Sequence, residues 1–559
     1  MTNTNAKEVL IKQLPTLISN NVVVHSQLEA KEQAKLNAII TNNKSNDPTG
    51  LPKDYEHREG ELFCTKGNGT KICSTPVLPY CIYTNSTEDG DLGVGIQAAN
   101  FTGKILSKPV MLDAFGAYGK GVNNLISAGI GLPSMPQAQA GFEYFIKSAM
   151  KSSLPKVLVA KQMGFVGNNA AFLHGDMPLV QQLDGFATLQ PAKDVGKKYQ
   201  PSGSHDEWMS LIKENVKGCQ QVFALSAAFA SMLLDPAELD SCVFHFQGGS
   251  TTGKTILLQL AMSVHGSGCE PGQGDSNILR WNTTNNALER ALADNSGLLS
   301  CIDELGALSA KGFSNILYNI SSGTSKGRMN SSLGLQENFT WRSIILSTGE
   351  MSIMQKLESG KEPLPGGLEH RAISIEVEQY DAYSLLEDED VAITQVVQWA
   401  DNLKSGLSQH YGHAGKLFMS RFLTQKDDEG NSLSIQQIFD NFKQMHIDAT
   451  QELLDELAED GYELTGIQRR AMKRFGLVLL SGRLAVEWNI LPFDEGTIES
   501  SIYYIVTNWL DDESCKYSPE TIFIIAFRSY LLRRLNNAFP TLGIDNDSIV
   551  PNQAGVIMP

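Results

Sequence analysis

The chain has 559 residues and a mass of 61.1 kDa, more than one hydrophobic core usually serves, so about three domains are expected. Hydrophobic residues make up 42% and charged residues 19%, which excludes a mainly disordered or fibrous chain. A net charge of -17 excludes attraction of the whole molecule to nucleic acid or anionic membranes, so any such contact has to be local.

The first residues, MTNTNAKEVLIKQLPTL, lack the apolar core of a signal peptide, and the longest nearly apolar run, Val222 to Leu234, is too short to cross a bilayer. A cytoplasmic protein with no membrane partner is expected. The eight cysteines include no CxxC pair, and the one cluster, Cys64, Cys73 and Cys81, has no common zinc spacing, so ordinary reduced thiols are expected. Residues 1–70 read as an arm with one amphipathic helix over Glu29 to Ile40 and a turn-rich stretch from Asn42 to Gly50. Residues 71–204 read as a mixed α+β domain rich in strands, with alternating runs at Val94 to Phe101 and Val157 to Phe165. Between Leu92 and Ser204 stand ten lysines, five acidic residues and no arginine, either a solvated face or a contact for nucleic-acid phosphates. Lys193 to Ser204 reads as a linker. From Trp208 to Leu234 helical apolar stripes give way to a fully apolar run, the pattern of a helix buried beneath a sheet.

The strongest chemical signal follows. Gly248, Gly249, Ser250, Thr251, Thr252, Gly253, Lys254 and Thr255 satisfy GxxxxGK[ST], directly after a strand-like run from Cys242 to Gln247 and before a helical run from Ile256 to Val264. Small residues let backbone N–H groups wrap phosphates at a helix N-terminus, Lys254 reaches the terminal phosphates of ATP, and the Thr255 hydroxyl ligates Mg2+. Asp303 closes the apolar strand Leu298 to Ile302, forty-nine residues after Lys254, and Glu304 follows it. In this Walker B pattern Asp303 holds the metal and Glu304 polarises the attacking water.

A third buried strand, Ser343 to Glu350, ends in small hydroxyls. In hexameric ATPases a strand inserted between the two Walker strands carries a polar sensor, for which Thr348 is the first choice and Ser347 the second. Arg371, in Glu369-His370-Arg371 before the strand Ala372 to Val377, stands where ring ATPases present an arginine finger to the neighbouring subunit; a surface salt bridge is the alternative. Gly323 to Asn330 and Gln336 to Trp341 read as the two arms of a hairpin. Its Lys326 and Arg328 could meet single-stranded DNA in a ring channel, sense nucleotide, or pair across subunits. Past about Tyr380 the chain turns helical and acidic. Arg470 and Arg474 share one face of a helix running through Leu484, as a second nucleotide sensor or as a solvated basic face.

FHFQGGSTTGKT, WNTTNNALERAL, GLLSCIDELG, GTSKGR, WRSIILSTGE and EHRAISIEVE, in this order, resemble a prokaryotic family of helicase-like ATPases long catalogued as a domain of unknown function. Its members occur in prophages, plasmids and chromosomal cassettes, often beside or fused to primases. LISAGIGLP and KQMGFVGNNAAFLHG resemble that family's N-terminal half, so the resemblance spans Cys73 to Leu510. The same order of parts is similar to AAA+ replicative helicases of the minichromosome-maintenance type, including the self-loading helicases of staphylococcal cassette elements. In those a hairpin lysine lines the pore, which implies the same for Lys326. The usual sensor asparagine is replaced here by Ser347-Thr348, and no paired-acid or zinc signature of a primase is present.

The implied protein is α/β: an AAA+ P-loop core with a parallel sheet over residues 205–390, preceded by the mixed α+β domain and followed by a helical C-terminal region over 391–559. The resemblance implies a hexameric, ATP- and Mg2+-dependent DNA helicase for replication of a phage or mobile element, with a primase or replication initiator encoded nearby. A remodeller or anti-phage defence ATPase that does not unwind DNA is one alternative; a nucleotide-gated assembly scaffold is another.

Overall fold

The computed structural model describes residues 27–41, 50–84, 91–115, 120–134, 139–166, 171–180, 183, 185–191, 198–250, 252–273, 275–327, 338–362, 368, 370–377 and 393–511. The chain divides into two compact units, Met1–Tyr503 and Tyr504–Pro559; of the second, the described residues are the last turns of a helix. Among the described residues no helix is long and apolar enough to cross a membrane.

The first unit opens with helix α1 (residues 27–41), whose Leu36 and Ile39 pack on Leu78. Strands β1 (Tyr55–Arg58), β2 (Glu61–Cys64) and β3 (Thr70–Cys73) form an antiparallel sheet. The first two come from residues grouped above with the arm, because four-residue strands of mixed polarity carry no readable period. Next come β4 (Val77–Thr84), β5 (Asp91–Ala99), β6 (Ile105–Met111), α2 (Lys120–Ser127), α3 (Ala140–Ala149) and β7 (Lys156–Ala160). The run from Val157 to Phe165 is split, its end passing into β8 (Gly164–Val166), which pairs with β9 (Ala171–His174) and through it with β10 (Met177–Val180). With β11 (Thr188–Pro191) the larger sheet has the order β11-β7-β4-β5-β6. Phe142, Phe145 and Ile146 of α3 bury against Val94 and Ile96, the apolar alternation of β5.

The long apolar region forms two helices, α4 (His205–Asn215) and α5 (Cys219–Ala230), the second buried almost throughout. β12 (Cys242–Gln247), α6 (Lys254–Ser263), β13 (Ile278–Arg280), α7 (Asn285–Asp294), β14 (Ser300–Asp303), α8 (Phe313–Ser322), β15 (Ile344–Gly349), α9 (Ile353–Gly360) and β16 (Ala372–Glu376) follow. All five strands run parallel in the order β13-β14-β15-β12-β16, so β15 lies between the strand before the glycine turn and the strand of Asp303. Helices cover both faces, which is why β12 and β15 read as continuous apolar runs. Val243, Ile302 and Ile345 pack with Leu292, Leu317 and Leu357 on one face.

The C-terminal elements are α10 (Ile393–Gln409), α11 (Ala414–Leu423), α12 (Ile435–Glu459), α13 (Gly466–Glu487) and α14 (Glu495–Asp511). Ser434 with Gln437 and Thr465 with Gln468 form capping boxes that start α12 and α13. On the second sheet face, Phe475 of α13 packs on Phe244 of β12, with ring centroids 5.6 Å apart.

Candidate nucleotide site

Two glycines shape the turn between β12 and α6. Gly253 has φ +86°, in the left-handed region that glycine enters without strain, and caps α6. At Gly248 a Cβ would lie 2.4 Å from the carbonyl oxygen of Val377, so the turn seats against the end of β16 only without a side chain. Lys254 then folds back over the turn. Its Nζ donates to the carbonyls of Gly248 at 2.9 Å and Gly249 at 2.5 Å, and to the Thr252 hydroxyl at 3.1 Å. Burial pulls its ammonium below the usual lysine pKa, and the carboxylates of Glu350 and Asp303 oppose that shift. Ser250 lies exposed in the same turn; Thr251 lies outside the described residues.

Asp303 ends β14 opposite this turn. The Thr255 hydroxyl stands 3.4 and 3.5 Å from its two carboxylate oxygens. Thr348 Oγ1 donates to Asp303 Oδ1, and the backbone N–H of Glu304 donates to Thr348 Oγ1 at 3.1 Å. Glu304 itself has φ +66°, an uncommon conformation for a residue with a side chain, and its carboxylate is exposed. Lys254, Thr255, Asp303, Glu304 and Thr348 line one cavity of about 790 Å³ at the C-terminal ends of β12, β14 and β15. A hydroxyl and a carboxylate this close form a hard oxygen pair of the kind Mg2+ takes.

Ser347 faces the other way, since successive strand residues point to opposite sides. Its hydroxyl accepts from Trp281 Nε1 at 2.8 Å and lies 2.9 Å from His245 Nδ1. His245 Nε2 lies 2.9 Å from the Met351 carbonyl, which only accepts, so Nε2 carries the proton and Nδ1 accepts from Ser347. Burial pushes the His245 pKa down to about 4 and keeps it neutral. The chain Trp281, Ser347, His245, Met351 thus fixes the loop that carries Glu350 to the cavity rim. No motif marks His245 or Glu350; the signal that finds them is the alternation of β12 and the polar end of β15.

The arginines lie elsewhere. Arg371 precedes β16, its carbonyl accepts from Val243 N at 2.7 Å, and its guanidinium pairs with Asp240 at 2.8 Å. Arg474 of α13 is buried beside Cys242, the first residue of β12, while Arg470 is exposed. Together with burial, Arg474, Arg371 and Arg470 push the His370 pKa down to about 4, so the four residues form one basic cluster. This cluster sits at the N-terminal end of β12, which spans ~17 Å at 3.3 Å per residue. Neither Arg470 nor Arg474 lines the cavity of Lys254.

The hairpin expected after α8 is present at its base. Ser325 N donates to the Phe339 carbonyl at 2.8 Å and Trp341 N to that of Gly323 at 2.9 Å. Lys326 is exposed beside this pairing; Arg328 lies outside the described residues. Of the lysines between Leu92 and Ser204, Lys104, Lys147, Lys151, Lys156 and Lys161 are exposed.

A parallel sheet covered by helices, with the glycine turn, the acidic strand and an inserted polar strand meeting at one cavity, defines the α/β class of this fold. The profile of the family described as "Domain of unknown function (DUF927)" matches residues 53–338, just over half of the chain, and the chain belongs to that family. No curated protein matches it. Among solved structures it is similar to one described as "SCCmec type IV Cch - active helicase", with a TM-score of 0.63 and 19% identity over 90% of this chain and 86% of that one. At that identity the likeness is one of fold, and it reaches across the N-terminal domain, the parallel sheet and the helical region.

Proposed function

We propose that the protein is an ATP-hydrolysing, ring-forming AAA+ motor that works as a DNA helicase of a phage or mobile element. The observation that carries this reading is the convergence of Lys254, Thr255, Asp303, Glu304 and Thr348 on one cavity. Lys254 and the backbone of the glycine turn hold the β- and γ-phosphates of ATP. Thr255 and Asp303 would hold Mg2+, whose charge would offset that of the phosphates. Glu304, free of the strand and exposed, orients the attacking water and takes its proton. Thr348 keeps the Asp303 carboxylate aimed and anchors the backbone of Glu304.

Arg371 supports the ring. At the far end of the sheet it cannot reach its own chain's γ-phosphate, and a finger that serves a neighbour belongs there. Lys326, exposed on the hairpin, is the proposed contact for single-stranded DNA in the channel of the ring. The fold likeness to a cassette-element helicase supports the same reading.

The test is ATP hydrolysis by size-fractionated protein with and without single-stranded DNA. A DNA-stimulated activity in the oligomeric fraction, lost in both Lys254→Ala and Glu304→Gln while only Glu304→Gln still binds ATP, is expected. Wild-type hydrolysis by Glu304→Gln would overturn the assignment of the acid, and hydrolysis without strand displacement would favour a remodeller.

A further inference from the structure

The cavity has one wall that the phosphate chemistry does not use. Val397, Ala400, Asp401 and Lys404 of α10 line it, spaced i, i+3, i+4 and i+7, which places them on a single face of the helix. Beside this face lies the anchor of α10: Leu403 and Leu407 are buried, and Trp399 Nε1 donates to the Asn215 carbonyl of α4 at 3.3 Å. Packing against α4 and α6 thus holds the wall in place.

What that face offers is selective. Val397 is 54% exposed, a large apolar side chain left open on the cavity side. Asp401 is exposed and makes no hydrogen bond or ion pair among the described residues, so its carboxylate is open to a donor from a ligand. Lys404 is engaged by Glu270 at 2.8 Å. A wall with a free carboxylate, an apolar surface and its cation already neutralised repels phosphate. It suits a ligand part that is apolar with hydroxyl donors.

We propose that α10 is the nucleoside wall of the site, with Val397 packing against the base and Asp401 accepting a hydrogen bond from a ribose hydroxyl; this rests on the nucleotide reading above. It assigns the two ends of the ligand to different elements, phosphates to the glycine turn and the nucleoside to α10. The helical region following the sheet thereby reads whether a nucleotide, rather than a bare polyphosphate, is present.

Calorimetric binding of ATP, 2′,3′-dideoxy-ATP and inorganic tripolyphosphate to the full-length protein tests this. Wild type should bind ATP roughly tenfold or more tightly than the dideoxy nucleotide, the scale of a hydrogen bond to a charged group. Asp401→Ala should abolish that difference without weakening tripolyphosphate binding. Val397→Ser should weaken both nucleotides alike and spare tripolyphosphate. An Asp401→Ala protein that still separates the two nucleotides, or that loses tripolyphosphate in proportion to ATP, would overturn the proposal. If tripolyphosphate and ATP bind wild type and Lys254→Ala equally, the nucleotide reading itself fails, a result distinct from either.

Discussion

Thr348 Oγ1 of β15 donates to Asp303 Oδ1 of β14, and the same hydroxyl accepts the backbone N–H of Glu304 at 3.1 Å. One threonine therefore positions both acids of the site. The contact exists because β15 is hydrogen-bonded directly to β14 in the parallel sheet.

This separates two neighbouring residues experimentally. Thr348→Val should lower ATP hydrolysis by about tenfold to a hundredfold with little loss of stability, since the side chain keeps its shape and loses only its hydroxyl. Ser347→Ala should instead destabilise the protein by about 1–3 kcal/mol, because the Trp281 N–H and His245 Nδ1 are left without a partner in the core. Steady-state hydrolysis and thermal unfolding of the two variants, side by side, check the contrast.

For Arg371, the mixing of subunits is decisive. Arg371→Ala and Lys254→Ala proteins should each be nearly inactive alone, and their mixture should recover hydrolysis at interfaces pairing an intact glycine turn with an intact arginine. Normal turnover by Arg371→Ala would refute the finger. Asp240→Asn, which removes the ion pair holding Arg371 but leaves its charge, should keep activity in the oligomer.

Lys326→Ala should weaken single-stranded DNA binding and reduce the slope of log affinity against log salt by about one. Basal hydrolysis should survive, as Lys326 lies on the hairpin and not in the cavity. Equal salt slopes for variant and wild type would move the DNA contact to the exposed lysines of the N-terminal domain.

Acid should destabilise the protein well above the usual carboxylate range. Burial pushes the pKa values of His245 and His265 down from 6.5 to about 4. The unfolded chain takes up those protons first, so the stability these neutral imidazoles confer is complete above pH 6.5 and falls as pH drops toward 4. By pH 4 the loss should be about 3 kcal/mol for each. Urea unfolding across pH 4 to 7.5 reads it, and a flat midpoint over that range would contradict the neutral buried state.

The glycine turn, its flanking strand and helix, and the Asp303-Glu304 strand end were legible in the sequence because their chemistry is local. A small-residue turn between an apolar strand and a helix has few other uses, and β12 runs over the residues expected of it. The buried strands β15 and β16 and the start of α13 were legible for the same reason. What the chain order leaves open is direction. Alternation says that Ser347 and Thr348 face opposite sides, but only the pairing of β15 with β14 decides which side holds Asp303. Arg474 follows a basic helical pattern, yet the packing of α13 on β12 carries it to the end of the sheet away from Lys254. The face of α10 that lines the cavity is an ordinary amphipathic stripe in sequence. Its meaning depends on contacts to residues more than a hundred positions away, which tertiary packing alone supplies.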